Sequence, residues 1–485
     1  MPPQVGTAHS GISRRRNRST VSRVQQAWLT GSVHKHHREV RDPVHSFVAL
    51  DDHERHVLDS RPFQRLRHVH QLALSYLVYP GASHKRFEHS LGVMELAGRI
   101  FDTVTRPDKL TDAVREIVPE PGSVHHAYSR TALRMAALLH DTGHLPFSHA
   151  AEEELLPPGW DHERITHAII FSEEMKAVWD GLDVPANPDL IAKIALGPST
   201  VEKLKLPLTF NTWEAILAEM VVGDAFGADR IDYLLRDSLH TGVAYGRFDH
   251  ERLVAKLRIL PSPATPGDEA EQSGDRPELA LGIERGGIEA GEGLMLARYF
   301  MFSQVYFHDT RLIYDEHLKD FLVAWLPEGQ FPTEVDRHLS VTDNEVTAAM
   351  LAAARDPTAS GHDPARRIVE RDHFRVAYQR RAEDTRGVVG AIYEAARARY
   401  GDDKVRYGGS PKPADPVLFP VLDWDGRSVP SLSLSDVLSK LPVSRDEYVF
   451  VSAELRGETK RWIDLERDAI VERAQSAQEE QEVKE

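Results

Sequence analysis

Apolar residues recur at helical spacing through most of the first half of this chain, and the rhythm changes after about residue 250. Between His84 and Thr105, the residues Phe87, Leu91, Met94, Ile100 and Phe101 fall near one face of a helix. The stretch from Thr131 to His140 is almost wholly apolar. It predicts a buried helix that stops at Asp141-Thr142-Gly143, with Pro146 following. Another helix is predicted from Asp229 to Leu239, closed by Thr241-Gly242. Leu253–Leu260 and Leu279–Ile283 then read as two short strands, separated by a polar insertion rich in Pro and Gly at 262–275. Helices resume over 288–325 and near 343–355 and 386–399, with strand-like runs at Val417–Leu422 and Tyr448–Val451. No internal repeat is present. The expected class is mainly α: a helical core, short β-strand insertions and a mixed α+β C-terminal lobe. The expected division is a basic arm at 1–37, a core at 38–330, the lobe at 331–452 and a highly charged frayed helix or tail at 453–485.

Composition narrows the picture. A chain of 485 residues exceeds one ordinary core, consistent with a large domain plus an appended lobe. No apolar run approaches the roughly 18 residues that a membrane span needs, so no membrane partner is expected. No charged n-region precedes an apolar h-region, so no secretory signal is read either. The Cys count of 0 excludes disulfides and cysteine-held zinc, and suits a reducing, cytoplasmic setting. Any metal must therefore be held by His, Asp, Glu or backbone oxygen. The net charge of -16 disfavours a protein that wraps duplex nucleic acid. It still permits a small anionic substrate in a locally basic cleft. The first 37 residues are the exception, carrying Arg14, Arg15, Arg16, Arg18, Arg23 and Lys35 and no acid. They read as a disordered, solvated arm, with weak nucleic-acid or partner binding as the sharper alternative.

The chemistry concentrates in His89, the pair His140-Asp141, and Asp229. A His-Asp pair ending the most apolar helix of the chain sets two polar groups at the edge of a core, where unpaired burial is costly. Capping and core hydrogen bonds would account for such a pair by themselves, but neighbouring residues shift the balance. His144, His149, Glu152 and His162 follow closely and supply the groups that general acid–base chemistry requires. Asp229, Tyr233 and Asp237 lie at i, i+4 and i+8 on one helix face, while Ile231, Leu234 and Leu235 point to a core. Lys85, Arg86 and Arg230 flank these residues with positive charge suited to phosphates, or to ordinary surface salt bridges. Two imidazoles and two carboxylates form a mixed N/O donor set suited to Mn, Fe, Zn or Mg.

With these motifs in view, the chain resembles the HD-domain dNTP triphosphohydrolase family, which includes the human SAM-and-HD-domain dNTPase and bacterial members. The resemblance spans about residues 38–330. It rests on DPVH from Asp42, PFQRLRHVHQLALSYLVYPGASHKRFEHSLGVMELAG, ALLHDTGHLPFSH, WDHE and ADRIDYLLRDSLHTG, in the family's order. It implies an HD-domain helical core holding one divalent metal ion through His89, His140, Asp141 and Asp229, with additional Mg accompanying the nucleotide. By the same resemblance, His149 donates a proton to the leaving 5′ oxygen, and His144, Glu152 and His162 shape the water and proton network; an aspartate commonly stands where Glu152 is. Arg86, Arg230, Tyr233 and Arg298 are implied to hold phosphates, with Arg230 in place of the human enzyme's lysine. Asp237 and Gln71 are implied at the sugar 3′-hydroxyl, and Leu72 and Tyr306 against the 2′ position. Asp59, Gln64 and Arg67 match residues that read an activating guanine nucleotide, although their spacing alone reads as a helix-surface cluster.

The implied activity is metal-dependent hydrolysis of a dNTP substrate to deoxynucleoside and tripolyphosphate, activated by a guanine nucleotide in a homo-oligomer, dimer or tetramer. Two alternatives remain. One is another HD phosphohydrolase: a nucleoside monophosphatase, an alarmone or cyclic-nucleotide hydrolase, or a nuclease. The other is a catalytically silent nucleotide- or nucleic-acid-binding regulator.

Overall fold

The longest amphipathic runs become the central helices in the computed structural model, which describes residues 38–148, 152–183, 185–262, 278–385, 387–409, 418–442 and 446–482, with side chains to 474 and without that of Glu153. The basic arm, most of the 262–275 insertion and His149 lie outside the described residues. The described residues open with a hairpin, β1 (Arg38–Asp42) antiparallel to β2 (Ser46–Leu50). Its turn is closed by Asp42, whose Oδ1 accepts from the Val44 and His45 amides at 2.9 and 2.8 Å. Helix α1 (Asp52–Leu58) follows, capped by Asp51.

The core is built by α2 (Arg86–Val104), α3 (Val124–Leu139), α4 (His162–Ile170), α5 (Pro188–Lys203), α6 (Thr212–Val222) and α7 (Ala228–Thr241). Helix α2 packs on α3 and α7, and α5 packs on α3 and α6. The seams are filled by fully buried residues such as Met94, Ile100, Phe101, Leu133, Leu138, Ile231 and Leu234. These are the positions that the helical period selects. Each predicted helix is present, with ends shifted by a few residues. Helix α3 begins early because Ser123 caps it, its side chain accepting from the His126 amide at 3.2 Å. Helix α7 ends where Gly242 turns left-handed, at φ 80°. Helix α5 is broken in the middle by Gly197, at φ 77°, followed by Pro198.

The strand expected over Leu253–Leu260 is half helix. Asp249 caps α8 (His250–Lys256) through the Arg252 amide, and Leu253 and Val254 point into the core. The strand proper, β3 (Leu257–Pro261), pairs antiparallel with β4 (Leu279–Glu284). Helices α9 (Ile288–Met301) and α10 (Asp309–Trp325) flank a π-helical turn at Phe302–Tyr306.

Beyond residue 330 the chain does not separate from the core. Phe331, Leu339, Val346 and Met350 pack into the main cluster, the last two from α11 (Asp343–Ala353). After α12 (His362–Val369), β5 (Arg375–Gln379), α13 (Val388–Tyr400) and β6 (Val405–Gly409), the chain returns to the first sheet. There β7 (Pro420–Leu422) lies parallel to β4 and pairs with β8 (Ser428–Pro430), for the order β3-β4-β7-β8. Strand β9 (Glu447–Val451) sits between β5 and β6 in a second, antiparallel sheet. Helices α13 and α14 (Arg456–Glu482) pack on this sheet. The charged C-terminal run is thus a packed helix in its first half, with Ile463 and Ile470 buried. Its sparse apolar positions, seven apart, are easily lost among charges. The architecture is mainly α with small sheets. No described helix is long and apolar enough to cross a membrane.

Candidate metal centre and cleft

Three elements converge on one point. Helix α2 supplies His89, the C-terminus of α3 supplies His140-Asp141, and the first turn of α7 supplies Asp229. Donor atoms of His89, His140 and Asp229 all lie within 4.8 Å of one another. His89 Nε2 stands 3.0 Å from Asp229 Oδ1 and 3.7 Å from Asp141 Oδ2. His140 Nε2 stands 3.3 Å from Asp141 Oδ1 and 3.6 Å from Asp229 Oδ1, buried and without a well-aligned hydrogen bond.

The opposite ring nitrogens are tied down. His140 Nδ1 faces the Ala137 carbonyl at 2.8 Å, and His89 Nδ1 faces Asp232 Oδ2 at 2.8 Å. Donation from both Nδ1 atoms leaves both Nε2 lone pairs directed at the shared point, the tautomer a metal requires. Asp232 is itself held by Arg236, from Nε at 2.8 Å and Nη2 at 3.0 Å, and by His45 Nε2 at 2.6 Å. Arg236 also donates to Asp42 at 2.8 Å, so the β1–β2 hairpin is pinned to the back of the centre.

Burial opposes charge on His89, but Asp229, Asp232 and Asp141 outweigh it and hold the ring at about 10. His140 is likewise raised against its burial by Asp141 and Asp229. Burial would raise Asp141 too, yet Arg86 and His140 hold it well below the usual carboxylate range. Two imidazoles enclosed by carboxylates form an anionic box in which protons take a cation's place. That donor set, with His140 Nε2 left without a good hydrogen bond, fits one divalent ion.

A second group stands beside the first. His144 Nε2 is 3.1 Å from Asp141 Oδ1, and its ring stacks on that of His162 at 4.0 Å. Glu152 accepts from the His162 amide at 2.6 Å and lies 2.7 Å from His162 Nδ1. Glu152 raises His162 against its burial, whereas burial depresses His144, with Arg86 and His162 adding to the effect. The stack is close because Gly143 has no side chain: a Cβ there would collide with the His162 carbonyl and the Thr166 amide.

His140, Asp141, Asp229, His144 and His162 open on a cleft of about 880 Å³ that is also lined by Gln71, Leu72, Arg86, Tyr233, Asp237 and Tyr306. Arg86 pairs with Asp141 at 2.5 Å and donates to Ser148 Oγ at 2.9 Å. Tyr306 donates to Asp237 Oδ2 at 2.7 Å, and His84 holds the other oxygen at 2.7 Å. The helix face Asp229, Tyr233, Asp237 does line the cavity.

Other candidates are placed differently. Arg230 and Arg298 are not among the cleft-lining residues. Arg230 pairs with Asp224 at 3.1 Å, and the Arg298 guanidinium lies over the Phe302 ring at 5.5 Å. Desolvation raises the Tyr233 hydroxyl, and both cations act against that rise. Gln64 accepts from Arg67 Nε at 2.8 Å, and Arg67 covers the Phe87 ring at 3.5 Å. Asp59 instead pairs with Arg55 at 3.2 Å, so these three residues do not form one bonded cluster. Sequence reading also missed Asp232, His45, Arg236, His84, Ser148 and Arg311, the last being a further cation on the cleft wall. Only Asp232 and Arg236, at i and i+4, carried a local signal.

Residues 86–197 match the model of the HD domain, and residues 248–400 match that of the HD associated region. The chain is an HD-domain protein whose HD domain is followed by an HD associated region. An uncharacterized protein of Methanocaldococcus jannaschii is 34% identical over 289 residues, covering 60% of this chain and 50% of the relative. A deoxynucleoside triphosphate triphosphohydrolase of Homo sapiens is 30% identical over 242 residues, covering 45% of this chain and 36% of the relative. The chain thus spans about half the length, or less, of these curated relatives. The crystal structure of a hypothetical protein from Aquifex aeolicus superposes with a TM-score of 0.68 at 27% identity, covering 88% of this chain and 99% of that one. A phosphohydrolase from Bacteroides thetaiotaomicron shares the fold, with a TM-score of 0.63 at 22% identity over 86% of this chain and 100% of that one.

Proposed function

We propose that the protein is a metal-dependent phosphohydrolase that converts deoxynucleoside triphosphates to deoxynucleoside and tripolyphosphate. The observation that carries this reading is the layout of one cleft. His89, His140, Asp141 and Asp229 converge at one side, and the Tyr306–Asp237 pair, suited to a sugar hydroxyl, lines the same cavity. The similarity to the human deoxynucleoside triphosphate triphosphohydrolase favours this substrate over a monophosphate or an alarmone.

A divalent ion held by the four ligands would supply an activated water and neutralise charge on the phosphoryl oxygens. Arg86, which lines the cleft and pairs with Asp141, would meet a phosphate oxygen through its guanidinium. Tyr233 lines the same cleft, and Arg230 and Arg298 act on its hydroxyl. His144, stacked on His162 and backed by Glu152, can pass a proton along the floor. His149, outside the described residues, remains the proposed donor to the leaving 5′ oxygen. Asp237 orients the sugar through its 3′-hydroxyl with Gln71, while Leu72 and Tyr306 crowd a 2′ substituent. Activation by a guanine nucleotide at Asp59, Gln64 and Arg67, in a homo-oligomer, belongs to the same proposal.

The test is purified protein with Mn or Mg and each dNTP, with and without GTP or dGTP, products being resolved by ion exchange. His140→Ala with Asp141→Ala serves as the control. Deoxynucleoside plus tripolyphosphate, lost in the control, supports the reading. Monophosphate plus pyrophosphate, or no turnover under any metal and activator, overturns it.

A further inference from the structure

The HD associated region lines part of the cleft with Tyr306 and Arg311, and behind that lining one of its carboxylates joins two segments of the HD side. Asp343, at the first turn of α11, is 1% exposed. Its Oδ1 accepts from the Phe147 amide at 2.8 Å. Its Oδ2 accepts from the His70 amide at 2.7 Å and lies 2.6 Å from His70 Nδ1. The two partners belong to the two lips of the cleft. His70 precedes Gln71 and Leu72. Phe147 follows His144 and precedes Ser148, the residue that holds Arg86.

The second lip is strained. Phe147 and Ser148 have φ values of 56° and 59°, left-handed conformations that disfavour residues with side chains. Two such residues in succession persist only when surrounding bonds over-determine them. Beside Asp343, Arg65 donates to the Val341 carbonyl from Nε and Nη2 at 3.1 and 2.9 Å, and to the His144 carbonyl from Nη1 at 2.9 Å. Residues 341–343 therefore hold the segment bearing His144 at both of its ends, directly through Asp343 and by way of Arg65 from Val341. The first lip is braced further by Lys85 Nζ, 2.7 Å from His70 Nε2.

We infer that Asp343 is a positioning residue for the reaction: it clamps the Gln71 lip and the His144–Ser148 loop at a set separation. The HD domain is catalytically competent only with this residue of the HD associated region in place. Asp343 touches no metal ligand side chain and lines no part of the cleft. Both of its oxygens act only as acceptors. An Asn in its place must turn its NH₂ toward either Phe147 N–H or His70 N–H, so Asp343→Asn breaks the clamp while keeping volume.

This inference rests on the proposed hydrolysis for its kinetic arm alone. The experiment compares full-length wild type, Asp343→Asn and His70→Ala in three readouts: hydrogen exchange of the His70 and Phe147 amides, bound Mn after dialysis, and steady-state dNTP turnover. Asp343→Asn is expected to speed exchange at both amides, keep wild-type Mn content, and lower kcat by about 100-fold, the scale of an ångström-level misplacement. His70→Ala removes the ring contact with Asp343 and keeps both amide bonds, so it should leave exchange at the two amides near the wild-type rate and raise KM more than it lowers kcat. It also remains informative if Asp343→Asn fails to fold. Unchanged exchange at these amides in Asp343→Asn overturns the clamp, as do wild-type kcat and KM in either variant. A wild type that turns over no dNTP sinks the hydrolysis proposal instead, and exchange then decides the clamp.

Discussion

An imidazole can serve a metal only if its other nitrogen is held, and here the two histidines are held in different ways. His140 uses a carbonyl of its own helix, a local contact. His89 uses Asp232, which lies 143 residues away and is fully buried. Asp232→Asn should therefore lower divalent-metal affinity about 10–100-fold with little change in fold content. Metal titration by calorimetry checks this, and unchanged affinity would remove Asp232 from the ligand-orienting role. A second carboxylate on the cleft wall sets a pH dependence. Burial, reinforced by Glu278 and Asp224, pushes Glu219 up to about 7 despite the Leu281 amide that it accepts from at 2.9 Å. Its folded value exceeds its ordinary value of 4.5. The fold therefore favours the protonated form, and stability present at low pH is lost as pH rises through about 7. Glu219→Gln should melt like wild type near pH 5 but be more stable at pH 8, by on the order of 1–2 kcal/mol. Parallel thermal melts at the two pH values decide it.

At the scale of elements, close approach of α2 and α7 depends on one small residue. A Cβ on Gly92 would collide with the Asp232 carboxylate and the Arg236 guanidinium. Gly92→Ala should cost about 1–3 kcal/mol by overpacking and disturb His89 as well. Gly390 in α13, with nothing within 4 Å of a built Cβ, is the control. Gly390→Ala should be neutral or stabilise by about 0.5–1 kcal/mol, since only helix propensity changes. Equal Tm shifts for the two variants would refute the packing argument. The helices were legible in the sequence because Phe87, Leu91 and Met94, or Ile231, Leu234 and Leu235, announce one buried face. The stretch 253–256 was misread as strand because four to eight apolar-rich residues do not distinguish the two periods. The Asp249 cap decides for helix.

At the scale of the molecule, the main core draws on residues from Val48 to Leu438. Phe419 packs on Phe226 with ring centroids 4.7 Å apart, and β7 adds an inner strand beside β4. The division expected at residue 330 therefore cuts through shared packing. A fragment ending there should lose the cooperative thermal transition of the full chain. Calorimetry of that fragment checks this, and a sharp transition near the full-length Tm would restore 330 as a boundary.

What the sequence by itself determined are the features written in short range. These are the helices of the core, the stop of α3 at His140-Asp141, the Gly242 end of α7, and the shared face of Asp229, Tyr233 and Asp237. Periodicity, capping and helix geometry act over a few residues, so they can be read without partners. The tertiary structure alone decided which residues meet. It brought Asp232 to His89 and His45, Arg236 to Asp42, and Asp343 to His70 and Phe147. It paired Arg230 with Asp224 and set the Arg298 guanidinium over the Phe302 ring. Contacts between residues 140–200 or more apart are set by how whole helices pack, and the side chains that make them carry no periodic mark. A buried carboxylate that orients a ligand looks, in sequence, like any other Asp.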